Sequence, residues 1–167
     1  AGTTYILRWT ISNGVCPVST DEVQIRLDQT PTGSNAGTDQ VVCGTSATLG
    51  GNLPAIGTGV WTISAGAGGS VITPSSPTSP FTGVAGTTYT LTWTISNGVC
   101  AVSTDDVQIQ LDASPTVSSA GADQNICGTS AVLGGNVPVT GTGLWSVVSG
   151  AGGSFVLNTN PVTTFNG

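Results

Sequence analysis

The stretch AGTTYTLTWTISNGVC, residues 85–100, decides the fold of this chain. Between residues 87 and 96 every second side chain is large and apolar, and the set is Tyr89, Leu91, Trp93 and Ile95. A period of two predicts a half-buried antiparallel β-strand. Asn97-Gly98 then predicts a hairpin turn, because glycine accepts a positive φ. The chain returns along residues 104–111, where apolar and polar side chains again alternate.

The same stretch occurs twice in the chain. Residues 1–16, AGTTYILRWTISNGVC, match residues 85–100, and the same 84-residue offset holds without a gap to the end of the chain. Of the 83 aligned positions, 52 are identical. The 167 residues therefore contain two copies of one 84-residue unit, which predicts a repeat architecture.

Two proline-containing stretches mark the boundaries between repeats. Residues 29–35 and 113–119 each follow a strand-like run and are rich in Ser, Thr and Gly. Boundaries at these places predict one complete repeat over residues 36–114. The C-terminal half of a preceding repeat then covers residues 1–30, and the N-terminal half of a following repeat covers residues 117–167. Such a chain is expected to be a section of a longer array or the repeating piece of a polymer.

The complete repeat contains seven predicted strands. They cover residues 40–43, 46–49, 59–64, 70–73, 80–84, 87–96 and 104–111. Seven short strands in about 80 residues are typical of an immunoglobulin-like β-sandwich. The predicted fold class is therefore all-β, with tandem, 84-residue immunoglobulin-like repeats. A β-helix or other solenoid is the alternative, but a period of 84 is too long for one coil and the hairpin is antiparallel.

The aromatic residues lie on the apolar stripes of the predicted strands. Trp61 is on the third strand of the complete repeat, and Tyr89 begins the sixth, where a tyrosine corner would lie. The residues predicted for the core are Trp9, Trp61, Trp93, Trp145 and Tyr89. The alternative is an exposed aromatic platform that stacks on sugar rings, which would require these tryptophans to lie off the stripes.

Composition argues against several functional classes. The chain has 8 acidic residues, 2 arginines and no lysine, histidine or methionine, and its net charge is −6. Without His or Lys the usual general base and Schiff-base amine are missing, so we do not expect an enzyme. The acidic balance argues against nucleic-acid binding, since phosphates need basic partners. No apolar run approaches the roughly 20 residues that span a bilayer, so no membrane insertion is predicted.

The acidic residues are expected to be solvated surface groups. The alternative is calcium at the junctions between repeats, because Asp28 and Asp39 flank one linker and Asp112 and Asp123 flank the next. Carboxylate oxygens are the ligands that calcium prefers. No EF-hand or nonapeptide calcium loop is present. We therefore predict no metal and no cofactor, and calcium stays the alternative.

Two stretches of the complete repeat resemble PKD-like, immunoglobulin-like repeats. AGTDQVVCGTSATL at residues 36–49, with its copy at 120–133, resembles the opening of these repeats. YTLTWTISNGVC at residues 89–100 resembles their closing hairpin. Repeats of this type occur in very large secreted surface proteins of gliding, Bacteroidetes-type bacteria. They include the gliding-motility adhesins that are exported by the type 9 secretion system.

The resemblance implies an extracellular location on the cell surface. It implies a non-enzymatic role in cell adhesion, as the stalk or filament of a bacterial adhesin. The expected partners are neighbouring repeats of the same protein and identical chains in a filament, while the adhesive ligand is not identified. The alternative from another class is a carbohydrate-binding module attached to a secreted enzyme, which would present a groove lined with exposed aromatic side chains.

Two cysteines per repeat, in a chain without histidine or a C-x-x-C motif, predict a disulfide rather than a zinc site. In the complete repeat the expected pair is Cys43 with Cys100, a bond that stabilises by roughly 4 kcal/mol in the chain-entropy model. Cys16 and Cys127 then have partners beyond this chain. Two alternatives stay open, because the first turn and the last hairpin of a standard sandwich lie at opposite ends. They are a bond from Cys43 to the hairpin cysteine of the next repeat, and free thiols.

Overall fold

The computed structural model describes residues 2–167, which form two compact units. The first unit ends at Asp112 and contains residues 36–112 of the predicted complete repeat together with the hairpin that precedes it. The second unit runs from Ala113 to Gly167. The described residues form strands, turns and loops and no helix, as expected from a sequence poor in strong helix formers.

Twelve strands are present in the described residues. Those of the first unit are β1 (Thr3–Ile11), β2 (Ser19–Leu27), β3 (Gln40–Cys43), β4 (Ser46–Thr48), β5 (Thr58–Ala65), β6 (Ser70–Val71), β7 (Pro80–Thr82), β8 (Thr87–Ser96) and β9 (Ser103–Asp112). Those of the second unit are β10 (Ser130–Val132), β11 (Ser154–Phe155) and β12 (Thr164–Asn166).

The complete repeat is a β-sandwich of two sheets. One sheet has four strands in the order β3-β9-β8-β5, and the other has three in the order β4-β7-β6. The pair β3–β9 is parallel, and the other pairs are antiparallel. All seven predicted strands are present, with ends that differ by a few residues at most. The predicted all-β, immunoglobulin-like sandwich is therefore confirmed.

The core of the sandwich lies between these two sheets. The four alternating side chains of β8 are fully buried, and so are Phe81 from the opposite sheet and the inward side chains of β9. The Trp61 and Trp93 rings lie 5.0 Å apart between centroids. Phe81 and Tyr89 meet edge to face, also at 5.0 Å. Such aromatic pairs add about 0.5–1.5 kcal/mol to the stabilisation that burial provides.

The loop between β8 and β9 is longer than a tight hairpin turn. It spans residues 97–102, and Gly98 takes the positive φ of 57° that the sequence predicts. The Cys100 amide donates a hydrogen bond to the Asn97 carbonyl at 3.2 Å, as Cys16 does to Asn13 at 3.1 Å in the earlier copy. The hairpin cysteine of each copy therefore lies in this loop rather than in a strand.

The hairpin formed by β1 and β2 has the same strand register as β8–β9, but its side chains are not buried. Thr3 pairs with Leu27, as Thr87 pairs with Leu111 in the complete repeat. All residues of β1 and β2 are exposed, because the hairpin's inward face has no second sheet in the described residues. Trp9 is 72% exposed. No second sheet faces Trp9 within the described residues, so its place in the core of the preceding repeat stays a prediction.

The second unit has the three-stranded sheet of the sandwich. Its strand order, β10-β12-β11, reproduces β4-β7-β6 at the 84-residue offset. Phe155 and Phe165 pack with their ring centroids 5.2 Å apart. Trp145, which was predicted for the core, is half-buried. Its Nε1 donates to the Pro161 carbonyl at 3.2 Å, as Trp61 donates to Pro77 at 3.1 Å.

Candidate functional site

The linker that enters the complete repeat, residues 29–35, is the candidate functional site, because hydrogen bonds fix it to the sandwich that follows. The Ser34 amide donates to Ser103 Oγ at 2.8 Å, and the two hydroxyls lie 2.9 Å apart. Just beyond the linker, the Ala36 amide donates to Asp105 Oδ2 at 2.7 Å. The main chain of this segment is thus satisfied by side chains at the start of β9.

Asn52 joins the linker to the core. Its Oδ1 accepts the Asn35 amide at 2.8 Å and the indole Nε1 of Trp93 at 3.2 Å. Its Nδ2 donates to the Gly33 carbonyl at 2.9 Å. One amide side chain therefore holds both the linker and the largest buried side chain, and this couples linker position to core packing.

Thr32 makes the second side-chain connection. Its hydroxyl oxygen accepts the amides of Ala55 and Ile56 at 3.0 and 2.9 Å, and its own amide donates to the Ile56 carbonyl at 3.0 Å. Through these three hydrogen bonds Thr32 fixes the linker to the loop that precedes β5. Such contacts restrict the linker, whereas a flexible linker leaves its main chain to water.

The β8–β9 loop contacts the end of β2 and the start of the linker. The Asn97 side chain donates to the Gln29 carbonyl at 2.7 Å. The Cys100 thiol lies 3.2 Å from that carbonyl and 3.6 Å from the Asp28 carbonyl. The Asp28 side chain is only 5% exposed and pairs with Arg26 at 2.8 Å. The end of one repeat is thus packed on the hairpin loop of the next.

The same connections recur where residues 113–119 enter the second unit. The Thr116 hydroxyl oxygen accepts the amides of Val139 and Thr140 at 2.9 Å. Asn136 Oδ1 accepts the Ser119 amide at 2.7 Å, and its Nδ2 donates to the Val117 carbonyl at 3.0 Å. Docking of the linker is therefore a property of the repeat rather than of one copy.

The calcium alternative receives no geometric support from the structure. Asp28 lies against the β8–β9 loop, where a side chain on Gly98 would overlap it. Asp39 instead accepts the Gln108 amide at 2.8 Å, several residues along β9. These two carboxylates do not converge. Asp112 accepts the Gln110 side-chain amide at 2.7 Å, and Asp123 is exposed in the second unit. Among residues 2–167 no group of three or more His, Cys, Asp or Glu side chains is arranged to hold a metal.

The structure contradicts the predicted bond between Cys43 and Cys100. Cys43 pairs with Asp112 at the end of β9, while Cys100 precedes the first residue of that strand. The ten residues of β9 separate the two positions, which at about 3.3 Å per residue is roughly 30 Å. A disulfide needs Cα atoms within about 7 Å. Cys16 and Cys127 lie at the corresponding places in their own copies and are exposed.

Among the aromatic core residues of the complete repeat, Trp93 is bonded to the site through Asn52. Trp61, Trp93 and Tyr89 are all buried. The Tyr89 hydroxyl accepts the Val84 amide at 2.8 Å and donates to the Ala67 carbonyl at 2.9 Å, which fixes the β7–β8 turn.

Asn52 and Thr32 make the main side-chain contacts of the linker junction, and neither residue was predicted from the sequence. The available signal was the identity of Asn52 with Asn136 and of Thr32 with Thr116.

No helix in the described part of the chain has the length and apolar character needed to cross a membrane.

No family model matches this chain, and no curated protein matches it. Among solved structures, the chain is similar to the solution structure of the PKD domain from KIAA 1837 protein. The two share 22% sequence identity at a TM-score of 0.43, and the match covers 56% of this chain and 95% of that domain. The assignment of an immunoglobulin-like sandwich rests on the strand order and core described above.

Proposed function

We propose that this chain is a section of a non-enzymatic, extracellular structural protein. Its tandem immunoglobulin-like repeats form the stalk or filament of a bacterial cell-surface adhesin, of the type that gliding bacteria secrete through the type 9 system. The repeat boundaries, at residues 1–30, 36–114 and 117–167, belong to this proposal. Its partners are neighbouring repeats and identical chains, and it needs no cofactor.

The main support for this proposal is that hydrogen bonds fix the linker, residues 29–35, to the sandwich that follows it. A protein that transmits force or holds a distant tip needs junctions that resist bending, and a linker whose main chain is bonded to the next domain supplies this resistance. Thr32 and Asn52 make these bonds at one junction, and Thr116 and Asn136 make them at the next. A module that only binds a ligand has no need to repeat this arrangement.

Composition supports the non-enzymatic and extracellular parts of the proposal. The sequence has no histidine or lysine to act as a base or amine nucleophile. Its cysteines recur at one pair per repeat, as is typical of disulfide-bonded proteins in oxidising compartments.

The stiffness of the junction can be tested in the parent protein by electron microscopy. Thr32→Val together with Thr116→Val removes the hydroxyl oxygens that accept two amides each, at nearly constant side-chain volume. The variant stalk should bend more, with a clearly shorter persistence length. Thr30→Val is the matched control, since Thr30 is an exposed threonine of the same linker. An unchanged persistence length in the double variant would contradict a mechanical role for these contacts.

A carbohydrate-binding module is the second candidate, because Trp9 and Tyr5 are exposed on one face of the β1–β2 hairpin. It predicts glycan binding that Trp9→Ala abolishes. In the complete repeat the equivalent residues, Trp93 and Tyr89, are buried core side chains. This favours the structural role for the exposed pair as well.

A further inference from the structure

The residues that follow β2 lie against the β8–β9 loop of the complete repeat. The Cys100 thiol lies 3.6 Å from the Asp28 carbonyl and 3.2 Å from the Gln29 carbonyl. The Asp28 carboxylate occupies the space that a Cβ on Gly98 would need, so the approach requires glycine there. The Asn97 side chain donates to the Gln29 carbonyl at 2.7 Å. The hairpin cysteine of one repeat is thus fixed at the end of the repeat before it.

The other cysteine of the repeat lies beside the residue equivalent to Asp28. Cys43 ends β3 and is the Cα partner of Asp112 in the parallel pairing with β9. The next amide, that of Gly44, donates to the Asp112 carbonyl at 2.9 Å. Asp112 corresponds to Asp28 at the 84-residue offset. In the repeat that precedes residue 29, the cysteine in the position of Cys43, the opening cysteine, therefore belongs beside Asp28.

The side chains at these two positions point to the same face of the sheet. Paired residues of neighbouring strands project to one side, and successive residues alternate between sides. The pair Val42 and Leu111 faces the core. Cys43 and Asp112, one residue further on, therefore point to the outer face. The equivalent aspartate, Asp28, uses its carboxylate on that face to contact the β8–β9 loop.

We infer that a disulfide joins the opening cysteine of each repeat to the hairpin cysteine of the next repeat. Cys100 then bonds to the opening cysteine of the preceding repeat, and Cys43 bonds to the hairpin cysteine of the following repeat. The inference rests on the proposed function, because it requires tandem repeats in one chain, and it adds a covalent bond across each docked junction. Each bond forms when two thiols lose two protons and two electrons to glutathione disulfide, which is reduced to two thiols.

The spacing of the cysteines gives these bonds a mechanical consequence. The hairpin cysteine of one repeat lies 27 residues before the opening cysteine of the next, both from Cys16 to Cys43 and from Cys100 to Cys127. A bond then joins that opening cysteine to the hairpin cysteine of the repeat after it. A covalent path that alternates these segments and bonds therefore advances by two 84-residue repeats for every 27 residues that it follows.

This path limits how far the array can extend under tension. At about 3.6 Å per extended residue, 27 residues reach roughly 100 Å, whereas two unfolded repeats reach roughly 600 Å. Part of the path is already extended in the folded state, since residues 16–43 include β2 and β3. The bonded array should therefore bear tension without unfolding its repeats, while the repeats of a reduced array can unfold one by one.

The pairing can be tested on the purified parent protein after equilibration in a glutathione redox buffer. Remaining thiols are alkylated, and peptides are mapped by mass spectrometry without reductant. Chymotrypsin suits the mapping because it cuts after aromatic residues, and Trp61 and Trp93 lie between Cys43 and Cys100. The Cys100 peptide should be joined to the opening peptide of the preceding repeat, and both cysteines of the complete repeat should resist alkylation.

Cys100→Ser distinguishes a bond between repeats from a bond within one repeat. In this variant Cys43 should stay oxidised, because its partner is in the following repeat, and the opening cysteine of the preceding repeat should become alkylated. Cys43→Ser is the matched variant and should leave Cys100 oxidised. Alkylation of Cys43 in the Cys100→Ser protein, or of both cysteines in the wild type, would overturn the inference.

Single-molecule pulling of the parent protein measures the mechanical consequence. The reduced protein should unfold in steps that each release up to about 300 Å, the extended length of one repeat. The oxidised protein should show no such steps. Steps of equal number and length in both states would contradict the continuous covalent path. These results do not depend on the location of the protein or on linker bending, so the proposed function is judged separately by the persistence length of the threonine variants.

Discussion

Trp9 and Trp93 occupy equivalent positions in the repeat and differ in what covers them. Trp93 is fully buried between two sheets and bonded to Asn52, whereas Trp9 is 72% exposed on a single hairpin. Burial of a side chain is thus a property of its partners as well as of its own strand. This pair provides an internal comparison for the energetics of the core.

Trp93→Ala should therefore destabilise the complete repeat by about 3–5 kcal/mol, the usual cost of emptying a buried aromatic site. A small domain has about 5–15 kcal/mol in total, so the repeat should be barely folded. Urea unfolding of the reduced, dilute chain measures this change. Trp9→Ala under the same conditions is the control and should leave the unfolding midpoint of the repeat unchanged. A Trp93→Ala protein that unfolds at the same urea concentration as the wild type would show that Trp93 does not stabilise the core.

At the residue scale, the sequence predicted the buried side chains of strands and missed those of loops. The alternation around Trp93 and the place of Tyr89 at the start of a strand are periodic signals, and both residues are buried. Asn52 and Thr32 lie outside the strands, where no period marks a residue. Their role appears only when the fold brings the linker beside the loop that precedes β5.

At the scale of elements, β1 and β8 are nearly the same strand in two environments. Residues 3–11 and 87–95 differ at two positions, so their intrinsic amide exchange rates are similar. β8 is paired on both edges, by β9 and β5, whereas β1 is paired only with β2 in the described structure. Protection against exchange follows local stability, which depends on these pairings and on burial.

Hydrogen exchange of the reduced, monomeric chain should reveal this difference. Amides of residues 3–11 should exchange roughly hundredfold or more faster than those of residues 87–95, because an unpacked hairpin opens locally while β8 opens only with the whole repeat. Mass spectrometry of the two peptides from one sample measures both rates, so each peptide controls for the other. Equal rates would mean that the β1–β2 hairpin is as firmly packed as β8–β9.

The elements themselves were predictable, and their order across the sheets was not. Turn residues and alternation located all seven strands of the complete repeat. The position of Cys43 relative to Cys100 depends on the parallel pairing of β3 with β9, which separates these cysteines by the length of a strand. Local sequence carries no information on such a pairing between distant segments, and for that reason the predicted bond within the repeat is wrong.

At the scale of the whole molecule, the 84-residue offset relates the two incomplete parts to the complete repeat. The β1–β2 hairpin reproduces β8–β9, and the second unit reproduces the β4-β7-β6 sheet. In the complete repeat, β8–β9 and the β4-β7-β6 sheet cover each other's apolar surfaces. The corresponding surfaces of the β1–β2 hairpin and of the second unit are exposed within the described residues. The self-comparison of the sequence predicted this division, whereas the position of the repeat boundaries stays a prediction.

Immunogold electron microscopy of the native cells, with an antibody raised against residues 36–114, tests the extracellular structural role directly. We expect gold particles outside the cell, spaced regularly along thin stalks or filaments that start at the cell surface. Labelling confined to the cell interior, or to isolated globular particles without extended structures, would contradict an extracellular structural role.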